Sequence, residues 1–143
     1  MIKLFGIVGL FLLCASCSTN ELVVGNTNEC INVPWHGYPI NGTQVRLLQC
    51  YDNPQQQWYF QNGAITGIGG LCLDVLGGQP ENGAHIIAVQ CNGAPSQQWT
   101  YANGQIVGIG GKCIDVANGA LFDRVPLIIA PCAPSPSQQW SMH

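Results

Sequence analysis

The sequence predicts an all-β chain made of three copies of one disulfide-closed unit, and three observations carry that expectation. Charged residues make up 8 % of the chain, against roughly 25 % in ordinary domains, while 18 Gly and 9 Pro are spread along it. That balance favours short strands between dense turns over long helices. The second observation is a repeat: Gln56-Gln57-Trp58, Gln97-Gln98-Trp99 and Gln138-Gln139-Trp140 lie 41 residues apart each time. The third is that the cysteines keep the same phase. Cys50, Cys91 and Cys132 recur every 41 residues, and Cys30, Cys72 and Cys113 at intervals of 42 and 41.

Composition also bounds function. An apolar content of 47 % with few charges excludes a disordered chain. The formal net charge of −3, with no basic cluster, argues against nucleic acid and anionic lipid surfaces as partners. The first residues read as an export leader over 1–16: Lys3, an apolar stretch from Leu4 to Leu13, then the small residues Ala15 and Ser16. The stretch is short for a membrane span. The run Leu13-Cys14-Ala15-Ser16-Cys17 resembles a bacterial lipoprotein signal, in which Cys17 becomes the lipidated N-terminus, although Cys14 stands where such signals usually carry Leu. Two outcomes stay open: a surface lipoprotein, or a plainly secreted protein cut near Cys17. Removing the leader removes Lys3 and takes the net charge to −4.

The rest, 17–143, reads as one domain, because three periods leave no room for a second. With Cys14 and Cys17 set aside, six cysteines remain, and threefold symmetry selects the local pairing Cys30–Cys50, Cys72–Cys91 and Cys113–Cys132. An oxidising compartment permits it. Each bond closes a loop of about 20 residues and stabilises by roughly 3 kcal/mol on the chain-entropy model. Zinc is the alternative use of such cysteines. The spacings are far from Cys-x-x-Cys, so no metal is expected.

Within each unit the elements are short. Cys72-Leu73-Asp74-Val75 and Cys113-Ile114-Asp115-Val116 alternate apolar and polar, as half-buried strands do. Ile86 to Cys91 and Leu127 to Cys132 are continuous apolar runs suited to strands buried on both faces. Tyr59-Phe60 and Thr100-Tyr101 lead into Asn62-Gly63 and Asn103-Gly104, both hairpin turns. Four strands per unit make twelve, which close into a small barrel capped by hairpins with few exposed edges.

Cys-x-Asp-Val, a Gly-rich loop, Asn-Gly-Ala-x-Ile, a cysteine and Gln-Gln-Trp together resemble the ricin B-chain lectin family, over Leu22 to Trp140. The resemblance implies a β-trefoil with up to three shallow sugar sites, one per repeat, and no cofactor. It implies that Asp74 and Asp115 accept hydrogen bonds from sugar hydroxyls, with Gln97 and Gln138 as further contacts. Repeat one carries Asn32 at the Asp position, and Asn has a single neutral acceptor oxygen. Gln55, Ser96 and Ser137 stand where the family often has Asn. A departure falls at the stacking residue: Leu48, Val89 and Ala130 replace the usual aromatic, and none offers a flat π face. Galactose specificity is therefore not inferred. Trp35, in the loop Pro34-Trp35-His36-Gly37-Tyr38-Pro39, breaks the repeat and is a further candidate for stacking on a glycan or docking on a partner.

Blander roles compete with these. Trp58, Trp99 and Trp140 obey the symmetry and belong in the core, and an Asp ahead of Gly77-Gly78 or Asn118-Gly119 often only binds its turn. His36, His85 and His143 share no spacing with an acidic or thiol partner, and no catalytic constellation is visible. Gly67-Ile68-Gly69-Gly70 recurs with the period and lacks the Lys-Ser/Thr ending of a phosphate loop. Asn41-Gly42-Thr43 is a glycosylation sequon, relevant only in a eukaryotic host. Two functions follow. One is a glycan-binding module with no enzymatic chemistry. The other is a trefoil that has lost sugar binding and serves as a protein-interaction or toxin cell-docking subunit, with a separately encoded toxin or enzyme as partner.

Overall fold

Alternating apolar residues and closely spaced turns fold into strands of two to five residues joined by 3-10 turns, in a computed structural model that describes residues 20–34 and 41–143. The leader, Cys17 and the Trp35 loop lie outside the described residues. In chain order the strands are β1 (Leu22–Val24), β2 (Glu29–Asn32), β3 (Thr43–Gln44), β4 (Arg46–Gln49), β5 (Tyr59–Gln61), β6 (Ala64–Thr66) and β7 (Leu71–Val75). They continue as β8 (Ile86–Gln90), β9 (Thr100–Ala102), β10 (Gln105–Val107), β11 (Lys112–Val116), β12 (Leu127–Pro131) and β13 (Trp140–Met142).

The strands form three antiparallel sheets of one design: β13-β1-β2-β4, β5-β6-β7-β8 and β9-β10-β11-β12, with β3 added at the edge of the second. The chain is a β-trefoil. Its last strand completes the first sheet, Val24 pairing with Trp140, so the two ends of the domain are tied together. Among the described residues thirteen strands replace the expected twelve, because one strand changes partner at Val45. Thr43 and Gln44 pair with Ala88 and Ile87 of β8, whereas Arg46 to Gln49 pair with β2. At the crossing, Val45 N–H donates to the Ile86 carbonyl at 2.9 Å and Leu127 N–H to the Val45 carbonyl at 3.1 Å, which knits the three repeats together.

The core is built from equivalent residues. Leu22, Ile65 and Ile106 are each fully buried, and Trp58, Trp99 and Trp140 are 1, 4 and 2 % exposed. A buried indole N–H needs an acceptor. Trp58, Trp99 and Trp140 donate to the carbonyls of Ile31, Leu73 and Ile114 at 2.9, 3.0 and 3.1 Å, the residue after each first cysteine. Gly67 and Gly108 exist for the same tryptophans: a Cβ there would lie 2.5 Å from the Trp58 ring and 2.4 Å from the Trp99 ring. The hairpins behave as expected, with Asn62-Gly63 and Asn103-Gly104 all at positive φ. The disulfides are Cys30–Cys50, Cys72–Cys91 and Cys113–Cys132, with Cα–Cα distances of 5.2, 5.1 and 5.0 Å.

Candidate carbohydrate-binding site

Register decides what surrounds each Cys-x-Asp strand. Asp74 lies opposite Ile87 and Asp115 opposite Ile128, on half-exposed positions of β7 and β11. Each carboxylate is oriented on two sides. Asp74 Oδ1 accepts the Val75 N–H at 2.6 Å and Oδ2 accepts a Gln97 amide hydrogen at 3.1 Å. Asp115 repeats this with Val116 at 2.7 Å and Gln138 at 3.0 Å. A carboxylate has about four acceptor positions, so two on each Asp remain for a ligand. The arrangement takes hydroxyl donors.

Gln97 and Gln138 stand behind the carboxylates. They are 1 and 2 % exposed. The second amide hydrogen of Gln97 goes to the Gln90 carbonyl at 3.1 Å, and its oxygen accepts the Asn92 N–H at 2.9 Å. Gln138 does the same with Pro131 at 2.9 Å and Ala133 at 2.7 Å. These bonds give both side chains a positioning part behind the carboxylates. Ser96 and Ser137 are buried as well, at 5 and 3 %.

Asp74 opens onto a shallow depression of about 540 Å³ lined by Asn41, Val89, Gln90, Cys91 and Asn92. Asn41 comes from the preceding repeat, and its Oδ1 accepts the Gln90 N–H at 2.6 Å. Sequence reasoning singled out this residue only as a sequon; its pairing across the repeat boundary carries no local signal. At Asp115 the counterparts of Val89 and Asn92 are Ala130 and Ala133, which remove bulk and a polar group. Val89 sits at the edge of the depression in place of an aromatic and gives it an aliphatic wall there.

Repeat one differs. Asn32 is 5 % exposed. Gln56, the counterpart of Gln97, turns its amide to the carbonyls of Gln49 at 2.9 Å and Leu48 at 3.4 Å instead of to Asn32. Nearby, Gln49 N–H donates to Asp123 Oδ1 at 2.7 Å. Burial, a hydrogen bond with Asp123 and the Asp123 charge together push the Glu29 carboxyl up to about 7.

These features agree with the comparison to known proteins. The model of the ricin-type β-trefoil lectin domain matches residues 18–140, and the chain belongs to that family, whose domains are carbohydrate-binding modules. No curated protein matches the sequence. Among solved structures, the designed threefold-symmetric protein ThreeFoil superposes with a TM-score of 0.77 at 24 % identity, covering 86 % of this chain and 96 % of that one. An exo-β-1,3-galactanase from Clostridium thermocellum gives 0.77 at 25 % identity, over 88 % of this chain and 30 % of the larger enzyme chain. The C-half of the earthworm R-type lectin, in complex with GalNAc, gives 0.72 at 13 % identity over 87 and 96 % of the two chains.

Proposed function

We propose that this lectin domain binds neutral glycans through Asp74 in repeat two and, more weakly, through Asp115 in repeat three. The observation that carries the reading is the Asp74 carboxylate, held by Val75 and Gln97 at the mouth of an open depression with acceptor capacity to spare. Charge-assisted acceptance of hydroxyl protons is stronger than neutral hydrogen bonding, and Gln90 and Asn92 at the rim add donors and acceptors. Without an aromatic platform each site is weak, around millimolar, or about −4 kcal/mol. Several sites or many copies on one surface then supply avidity. On this reading the chain itself performs no chemistry. It is exported, with 1–16 removed, and either lipid-anchored through Cys17 or released.

The aliphatic residues at positions 48, 89 and 130 favour a second reading, a trefoil that docks a protein partner. A glycan array with multimerised protein separates the two, run beside an Asp74→Ala/Asp115→Ala variant. Binding that disappears in the variant supports the lectin reading. Binding that survives moves the site to other residues, and a blank array from folded protein overturns glycan recognition in favour of protein docking.

A further inference from the structure

The repeat-one pocket departs from the other two at three equivalent positions, the third supplied by repeat three, and all three departures change its charge in the same direction. Asn32 replaces the carboxylates of Asp74 and Asp115. Arg46, paired opposite Asn32 across β2 and β4, replaces Ile87 and Ile128. Directly opposed residues share a sheet face, so a neutral amide and a guanidinium stand where the other repeats put a carboxylate and an aliphatic chain.

The third position is Arg124. Its N–H donates to the Leu47 carbonyl at 2.7 Å, as Gly42 donates to Ala88 at 2.7 Å and Gly83 to Ile129 at 2.8 Å. The three residues are structural counterparts. All have left-handed backbones, with φ of 92° at Gly42, 84° at Gly83 and 72° at Arg124. Glycine takes that conformation freely and arginine does not. A strained non-glycine residue that persists where glycine serves twice elsewhere points to a function for its side chain. Pairing of Arg46 with Pro126 brings the two arginine-bearing segments together.

The result is a pocket of about 240 Å³ lined by Asn32, Val33, Pro34, Arg46, Leu48, Asn53, Gln55 and Arg124. Among the described residues no carboxylate lines it. Among the described residues neither arginine has an ion-pair partner. The nearest acids along the chain are otherwise engaged: Asp123 takes the Gln49 N–H and lies beside the Glu29 carboxyl, and Asp52 accepts from Gln57 at 3.4 Å. The remaining polar lining is neutral, the amides of Asn32, Asn53 and Gln55.

We propose that the repeat-one pocket binds an acidic saccharide, with its carboxylate or sulfate against Arg46 and Arg124 and its hydroxyls on the amides of Asn32 and Gln55. Two guanidiniums beside neutral amides suit a ligand that is both anionic and hydroxylated. A neutral sugar leaves the charges without a counterpart, and a bare phosphate leaves the amides unused. The proposal deepens the glycan-binding reading and assigns this repeat a different ligand from repeats two and three.

The test measures binding of glucuronate, N-acetylneuraminate and 6-sulfo-N-acetylglucosamine, against galactose and N-acetylglucosamine, by ligand-detected NMR. The purified chain is compared with Arg46→Gln/Arg124→Gln and with Asp74→Asn/Asp115→Asn, each checked for an unchanged unfolding midpoint. Arg124→Gln alone, on an exposed loop, serves if the double variant unfolds. Acidic sugars are expected to bind the wild type and the aspartate variant equally and to weaken roughly tenfold or more in the arginine variants. Raising salt from about 50 to about 500 mM should weaken them as well. The carboxylate and sulfate arms show which anion fits. Acidic binding that survives arginine removal, or that falls with the aspartates, overturns the proposal. If neutral sugars bind and acidic ones do not, the proposal fails while the lectin reading stands; if neither binds, both fail.

Discussion

In repeat two, Gln97 gives an amide hydrogen to Asp74 and holds that carboxylate at the surface; in repeat one, Gln56 gives its hydrogens to the carbonyls of Gln49 and Leu48, and Asn32 goes without. The frame around both is the same. The motif tryptophan, the disulfide and the register of the two long strands superpose. One substitution of a carboxylate by an amide removes the charge that made the glutamine's donation worthwhile. Arg46 stands opposite Asn32 where repeat two sets Ile87 opposite Asp74. The comparison teaches that a threefold scaffold lets each site drift separately, because the core and the disulfides are carried by other residues of the same strands.

The comparison can be broken most severely at the tryptophan shelf. Repeat three places Gly108 against Trp99, while repeat one places Val24 at the equivalent position beside Trp140. Gly108→Ala puts a methyl 2.4 Å from the ring, and overpacking of this kind costs about 2 kcal/mol. Urea unfolding reads it; a loss below about 0.5 kcal/mol would mean that the indole retreats as freely as it does beside Val24.

Asp74→Asn copies repeat one's residue into repeat two. Neutral-glycan affinity at that site should fall about tenfold, or about 1.4 kcal/mol, with stability little changed. Titration of the variant by NMR tests it, and an unaltered affinity would take the carboxylate out of recognition.

A pH profile sharpens the contrast at Glu29, whose counterparts are Leu71 and Lys112. Its folded carboxyl is pushed up to about 7, against the ordinary glutamate value of 4.5. The protonated form is favoured by the fold, so its contribution is complete below pH 4.5 and is lost as pH rises through 7. After solvent screening the loss is of the order of 1 kcal/mol. The unfolding midpoint should fall across this range in the wild type, and Glu29→Gln should flatten the profile. A wild-type midpoint that rises instead would rule out a raised Glu29 carboxyl.

The smallest expected effect runs the other way. Asn32→Asp restores the repeat-two residue, draws Gln56 toward it and neutralises Arg46 in part. Acidic-sugar binding should weaken about threefold while neutral binding gains a site. No change in either would separate Asn32 from the repeat-one pocket.

Much of this molecule is legible in its residue order. The 41-residue period gave the three sheets, the phase of the cysteines gave their partners, and the in-phase tryptophans marked the core. Asp74 and Asp115 were marked by the resemblance to the ricin B-chain family, and alternation about buried neighbours placed them on half-exposed positions. Gln97 and Gln138 were read toward the ligand, and their hydrogen bonds to the carboxylates had no signal in the sequence. Asn41, Arg46 and Arg124 stood out only once strand pairing aligned them with Asp123, Ile87 and Gly42, across loops whose lengths differ between repeats.

By itself the sequence determined the all-β class, the threefold repeat, the disulfide pairing and the face on which the aspartates lie. Those properties rest on spacing along one chain: a period of two within strands and covalent links inside each repeat. Tertiary structure decided what meets at each site. It brought Asn41 to the mouth beside Asp74 and set two unpaired arginines around Asn32. Such convergence depends on register across the seams between repeats, where one residue of slip would send every side chain to the opposite face.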